Sequence, residues 1–195
     1  MSAAPAVPGY RIEGHAIVSA DDRIAGADGL TPAALNNAAD WTRFQAELDG
    51  AALVVLGRLS HAANPNRRNR PRLVVSSSSR GIERRSDAWW WNPAGVSLAD
   101  ALAAAAPGGG IVAVPGGRLV FDLFLDLGFD AFYLSRSAHV RLPDGISAFS
   151  EVADGKTADA VLAGHGLLID RREALDSTAG VTLTVWRRDE TEGSA

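Results

Sequence analysis

The chain has 195 residues, of which 47% are hydrophobic and 22% charged, with a formal net charge of −4. That is the composition of one globular domain, large enough to bury about 70% of the surface its unfolded form would expose. With no cysteine, disulfides, thiolate metal sites and cysteine nucleophiles are excluded, and the acidic balance gives no general attraction for polyanions. No apolar run is long enough to span a bilayer. The alanine-rich start, MSAAPAVPGYRIEGH, lacks a basic segment followed by an apolar core. A cytoplasmic protein is therefore expected, with residues 1–13 as an extended N-terminal segment.

The first predicted element is a strand over 15–20, closed by Asp21-Asp22-Arg23 and followed by a Gly- and Ala-rich loop through Gly29. From Asp40 the pattern turns helical, with Trp41, Phe44 and Leu48 on one stripe. Asp49-Gly50 stops that helix before an apolar strand over 51–56. Gly57-Arg58 opens a short helix, 64–72 is a polar basic loop, and 73–75 is a third strand running into four serines. A fourth strand is expected over 87–91, where Trp89-Trp90-Trp91 alternate between faces as packing residues. Ser97-Leu98-Ala99-Asp100 has the form of a capping box for an alanine-rich helix that ends at Pro107 and three glycines. A short buried strand over 111–114 leads through Gly116-Gly117 into a helix over 118–126, a strand over 129–134, and a closing hairpin of 166–170 with 181–188.

This alternation predicts an α/β fold of three layers: a mainly parallel central sheet with an antiparallel C-terminal hairpin, and helices on both faces. Ligands of such sheets bind beyond the carboxyl ends of the strands, which singles out the loops after Ala20, Leu56, Val75 and Val114. Gly116-Gly117, between strand and helix, lets backbone N–H groups and a helix dipole approach a phosphate, or simply makes a tight turn. Neither G-x-G-x-x-G nor a P-loop pattern is present, so a Rossmann fingerprint and an ATPase are unsupported. Gly57-Arg58-Leu59-Ser60 repeats the arrangement of strand end, glycine, cation, hydroxyl and helix start. Residues 76–80 add hydroxyls and a guanidinium suited to a phosphate monoester.

Asp40 lies at the margin of the Trp41, Phe44 and Leu48 stripe. It is either a carboxylate partly withdrawn from water that helps to protonate an acceptor, or a helix N-cap and dipole partner. The run from Arg67 to Arg72 is either a clamp for an anionic substrate tail or a solvated loop, and nucleic acid is not an expected partner. His15, His61, His139 and His165 show no metal-ligand spacing, so no metal is expected.

Taken in order, these segments resemble dihydrofolate reductase and the reductase domain of riboflavin biosynthesis over roughly residues 14–151. IVSADDRIAG resembles the first strand and the mobile loop over nicotinamide, which implies that Val18 and Ile24 meet the cofactor. DWTRF is similar to the family's acid followed four residues later by an aromatic, implying a catalytic Asp40 and a substrate-binding Phe44. VVLGRLSH resembles the element on the cofactor phosphates, here Gly57, Arg58 and Ser60. RPRLVVSSSS is similar to the arginine before the third strand and the serines beside the adenosine 2′-phosphate, which implies Arg70 on substrate and Ser76 and Ser77 on cofactor. IVAVPGGRLVFDLFL resembles the glycine pair, a cis peptide in the family, and the helix after it, with Gly116, Gly117, Arg118, Leu119 and Phe121 lining the cofactor.

The resemblance implies a single reductase domain that uses NADPH in preference to NADH to transfer hydride to a pteridine- or pyrimidine-type small molecule, in a form compatible with a homodimer. Three departures touch the pterin pocket. The Pro-Trp pair between Gly29 and Asp40 is missing, the loop there is longer, and Phe121 stands where a Tyr approaches nicotinamide. The substrate therefore stays open between dihydrofolate and a ribosylaminopyrimidine phosphate, and a nucleotide-binding protein without catalysis is the third reading.

Overall fold

The computed structural model describes residues 7–188. In chain order the elements are β1 (Tyr10–Val18), β2 (Arg23–Ala25), a 3-10 turn (Ala33–Leu35), α1 (Ala38–Gly50), β3 (Leu53–Gly57), α2 (Arg58–Ala63), β4 (Arg72–Val75) and β5 (Ile82–Arg84). They continue as β6 (Trp89–Trp91), α3 (Leu98–Ala105), β7 (Gly110–Gly116), α4 (Arg118–Leu127), β8 (Ala131–Ser137), β9 (Ile146–Ser147), α5 (Ser150–Ala153), α6 (Ala158–Gly164), β10 (Leu167–Asp176) and β11 (Val181–Arg188). Strand β1 begins at Tyr10, so residues 10–13 of the expected N-terminal extension are sheet, while its first six residues lie outside the described range.

Nine strands form one sheet in the order β10-β11-β8-β1-β7-β3-β4-β6-β5, and β2 pairs with β9 separately. The pairs β8/β1, β1/β7, β7/β3, β3/β4 and β4/β6 are parallel, whereas β5/β6, β8/β11 and β10/β11 are antiparallel. The mixed sheet with an antiparallel C-terminal hairpin is thus as expected; β5, β9, α5 and α6 are elements that the sequence pattern did not disclose. Among the described residues no helix is long and apolar enough to cross a membrane.

The period of two along each strand separates the two faces. Leu53, Val55, Val112 and Val114 join the main core, which takes in Leu98, Ala101 and Leu102 of α3, Val120, Phe121, Phe124 and Leu125 of α4, and apolar residues of α5 and α6. The alternate residues Val54, Leu56 and Ala113 face the other way and meet Phe44 and Leu48 of α1. Helix α3 starts as predicted: the Ser97 hydroxyl accepts from the Asp100 N–H at 3.2 Å and donates to its carboxylate at 2.6 Å.

Strand β1 is continued through α1 to β3, and its neighbour β7 through α4 to β8 on the far side of β1. Because α1 and α4 lie on opposite faces, the chain leaves adjacent strands in opposite directions. This is a topological switch point, and it opens a crevice at the carboxyl ends of β1 and β7.

Candidate functional site

Helix α1 is set by Asn37, whose side-chain oxygen accepts from the backbone N–H groups of Ala39 and Asp40 at 3.1 Å each. The cap is therefore Asn37, and Asp40 is free for another role. Its stripe also differs from the predicted one. Trp41 is 61% exposed, and the inward row is Asp40, Phe44 and Leu48 at strict i, i+4 spacing.

Asp40 is 7% exposed. Its Oδ1 accepts the Ser135 hydroxyl at 2.5 Å and the Arg43 guanidinium at 3.3 Å. Among the described residues the hydrogen bonds to the Asp40 side chain all fall on Oδ1, and Phe44 follows one turn later on the same face of α1. One oxygen thus fixes the carboxylate and the other is available. Ser135 lies on β8, 95 residues from Asp40, and nothing local in the sequence marks it.

Beneath α1 the sheet is unusually polar. His15 is buried with both ring nitrogens unpartnered, stacks on Tyr133 at 4.9 Å, and lies 6.3 Å from the Phe44 ring. Burial, with the Arg43 cation nearby, holds its pKa down to about 3. The neighbouring Glu13 pairs with Arg11 at 2.7 Å, yet burial pushes its carboxyl above the ordinary range. His15 predicts an acid-sensitive fold. Below pH 6.5 the unfolded chain takes up a proton on His15 that the folded chain refuses until about pH 3. Stability should then fall with pH across that window by about 1.4 kcal/mol per unit. Glu13 acts with the opposite sign, so the comparison with His15→Phe isolates the imidazole. Urea titrations from pH 7 to pH 4 should show a shallower loss in the variant, and parallel curves would refute the assignment.

Beyond the carboxyl ends, Leu56 of β3 is in register with Gly116 of β7, and Gly57 with Val75 of β4. Gly116 and Gly117 have φ of 102° and 77°, and the peptide bonds among the described residues are all trans, so the expected cis peptide is absent. The Ser60 hydroxyl faces Gly117, 3.8 Å from where a Cβ would stand. Among the described residues Arg58 is exposed without an ion pair, and Arg118 is half-buried with an Nε that has no partner. Leu59 and Leu119, which follow these arginines, are 73% and 76% exposed. Two leucines bared beside two glycine turns are the lining expected of an open ligand cleft. Ser77 and Arg80 are exposed on the next loop, while Ser76 is buried and shares its hydroxyl with Ser78 at 2.8 Å.

Three sequence expectations need correction. Phe121 is 1% exposed and packed on Phe132 and Phe149, so it forms the floor under Gly116 rather than a cofactor wall. Val18 is likewise fully buried in the main core, out of reach of a cofactor, whereas Ile24 of β2 is half-buried against that core with part of its surface exposed. Arg70 does not reach toward a substrate: it donates to Asp49 at 2.7 and 2.9 Å and to the Gln45 side chain at 2.8 Å, with Arg68 on the same carboxylate.

The loop after β1 is anchored by a network missed in the sequence. Arg136 joins Asp22 and Asp159, each at 2.5 Å, and Asp22 also accepts the Ala158 N–H at the start of α6. Two cavities lie away from these loops, one of about 180 Å³ over the C-terminal hairpin and one of about 430 Å³ at the amino ends of β4 and β6. Among the described residues no group of three or more His, Asp or Glu is placed to hold a metal ion.

This is the dihydrofolate-reductase-like fold. A riboflavin biosynthesis protein from a Shewanella species superposes with a TM-score of 0.65 at 20% identity, over 92% of this chain and 99% of that one. Dihydrofolate reductase from Enterococcus faecalis, complexed with NADP(H) and RAB-propyl, gives 0.63 at 15% identity over 92% and 97%. A diaminohydroxyphosphoribosylaminopyrimidine deaminase/5-amino-6-(5-phosphoribosylamino)uracil reductase from Thermotoga maritima gives 0.59 at 16%, over 92% of this chain and 57% of that one. No family model matches the sequence, and no curated protein matches it significantly.

Proposed function

We propose that the protein is an NADPH-dependent reductase acting on a pteridine- or pyrimidine-type small molecule. The observation that carries this reading is Asp40, anchored through Oδ1 by Ser135 and Arg43 with Oδ2 outside those bonds, beside the switch-point crevice. The carboxyl-edge groove fits the cofactor. Gly116, Gly117 and Arg118 with Gly57, Arg58 and Ser60 would hold the diphosphate, since backbone can approach closely at the glycines and the unpartnered Arg118 Nε lacks an acceptor. Ser77 and Arg80 would meet the 2′-phosphate.

Bound there, NADPH supplies the hydride. The chain supplies the rest. Leu59 and Leu119 exclude water from the groove, Phe44 packs against the acceptor ring, and Asp40 Oδ2 accepts an N–H of the acceptor or relays a proton to it. A ribosylaminopyrimidine phosphate is the second substrate reading, suggested by the likeness to the riboflavin biosynthesis protein.

The cofactor assignment has a direct test. NADPH at 100 times its dissociation constant should stabilise the protein by about 2.7 kcal/mol, and NADH at the same concentration by clearly less. Arg80→Gln should erase the difference. Equal thermal shifts from both dinucleotides would remove the 2′-phosphate contact, and no shift from either would remove the cofactor site.

A further inference from the structure

We infer that the cavity of about 430 Å³ at the amino ends of β4 and β6 is a second binding site, for a small molecule that carries phosphate. It lies at the opposite edge of the sheet from the groove assigned to NADPH and does not depend on that assignment. Its volume falls within the usual range of ligand pockets, roughly 300–1,000 Å³.

The walls are basic and incompletely paired. Of the lining cations, Arg70 is committed to Asp49, but among the described residues Arg72 and Arg84 have no carboxylate within ion-pair distance. Arg72 uses Nη1 on the Asn64 carbonyl at 2.8 Å and on His61 Nδ1 at 3.2 Å, which leaves its Nε buried with no partner. Burial, and then the neighbouring Arg70 charge, disfavour the Arg72 cation. Asp87 offsets part of this by its charge, and an anion in the cavity would offset more by stabilising the cation directly. Arg84 lies over the Trp89 ring, 5.8 Å from its centroid, and so is held toward the same space. The one lining carboxylate, Asp87, is engaged by His61 at 2.7 Å and by the Trp90 indole at 3.4 Å.

The rim is preorganised. Asn66 bonds both backbone groups of Arg70, at 3.0 and 2.7 Å, and Asn69 turns the chain with a φ of 51°. A guanidinium pair with a fixed polar rim matches the several acceptor oxygens of a phosphate group better than a single carboxylate.

Inorganic pyrophosphate is a suitable probe, titrated calorimetrically at low salt into the full chain. The wild type should bind it saturably, and Arg84→Gln or Arg72→Gln should weaken that binding at least tenfold. Arg84 is exposed, so its variant should keep the wild-type melting temperature and guards against a folding artefact at Arg72. Arg118→Gln, at the other edge, should leave the amino-edge binding in place. The inference is overturned if the wild type shows no saturable binding, or if both Arg72→Gln and Arg84→Gln lose less than tenfold.

Discussion

Replacing Asp40 with Asn should lower turnover by roughly 100-fold or more while NADPH binding survives, because assistance by a positioned acid or base is typically worth about 10²–10⁴. The substitution preserves shape and still offers Ser135 an acceptor oxygen, but it removes the group that can carry a proton where Oδ2 now stands. The loss should depend on pH. A weakly basic acceptor is protonated more readily in acid, so the variant should recover part of its rate as pH falls. Asn also leaves Arg43 without its carboxylate, and a lower melting temperature alone would follow from that. Rate and melting temperature must therefore be measured together. Full turnover with a lowered melting temperature would make Asp40 a structural partner of Arg43 and Ser135 only.

A second large effect is expected at Gly116. A Cβ there would lie 2.4 Å from Phe121 Cζ and 2.5 Å from Cε2, and the ring cannot yield because it is packed on Phe132 at 5.2 Å and Phe149 at 5.7 Å. The backbone φ of 102° adds strain for any side chain. Overpacking and strain each cost about 1–3 kcal/mol, so Gly116→Ala should lower the melting temperature by on the order of 10 °C. Adding Phe121→Leu should return the packing part and leave the backbone part. Gly117→Ala is the control. It has a φ of 77° but open space out to Ser60 at 3.8 Å, so its stability loss should be smaller and its main effect should fall on cofactor affinity. A Gly116→Ala protein that melts with the wild type would show that the turn is looser than drawn.

Elements with a clean apolar period were legible in the sequence: β3, β4, α3, α4 and the closing hairpin all lie within a few residues of expectation. Strand β1 was placed too late because its α1-facing positions are Glu13 and His15, and polar residues on a buried face look like solvent-facing ones. The two bulges in β10, around Ile169/Arg171 and Ala174/Asp176, broke its alternation and hid its second half. Strand β5 is three residues long and two-thirds charged, so it has no periodic signal at all.

The site divides in the same way. Glycines and arginines after β3 and β7 were visible as ordered local motifs, and the parallel topology brings them to one edge. The environment of Asp40 was not visible, because Ser135 is brought in from β8 and Asn37 takes the capping role that Asp40 was weighed for. Arg70 was misplaced for a related reason. Its partner Asp49 is 21 residues away at the end of α1, and only the packing of that helix against the loop shows the guanidinium to be committed.

The central claim is that Asp40 and the carboxyl-edge groove together make a reductase. Acceptor-dependent oxidation of NADPH, followed with wild type and Asp40→Asn across dihydrofolate, biopterins and ribosylaminopyrimidine phosphates, tests it most directly. At least one of these acceptors should be reduced by the wild type with stoichiometric loss of NADPH, and Asp40→Asn should turn over that acceptor roughly 100-fold more slowly. Binding of NADPH with no oxidation by any acceptor would contradict it, and would leave a nucleotide-binding protein on a reductase fold.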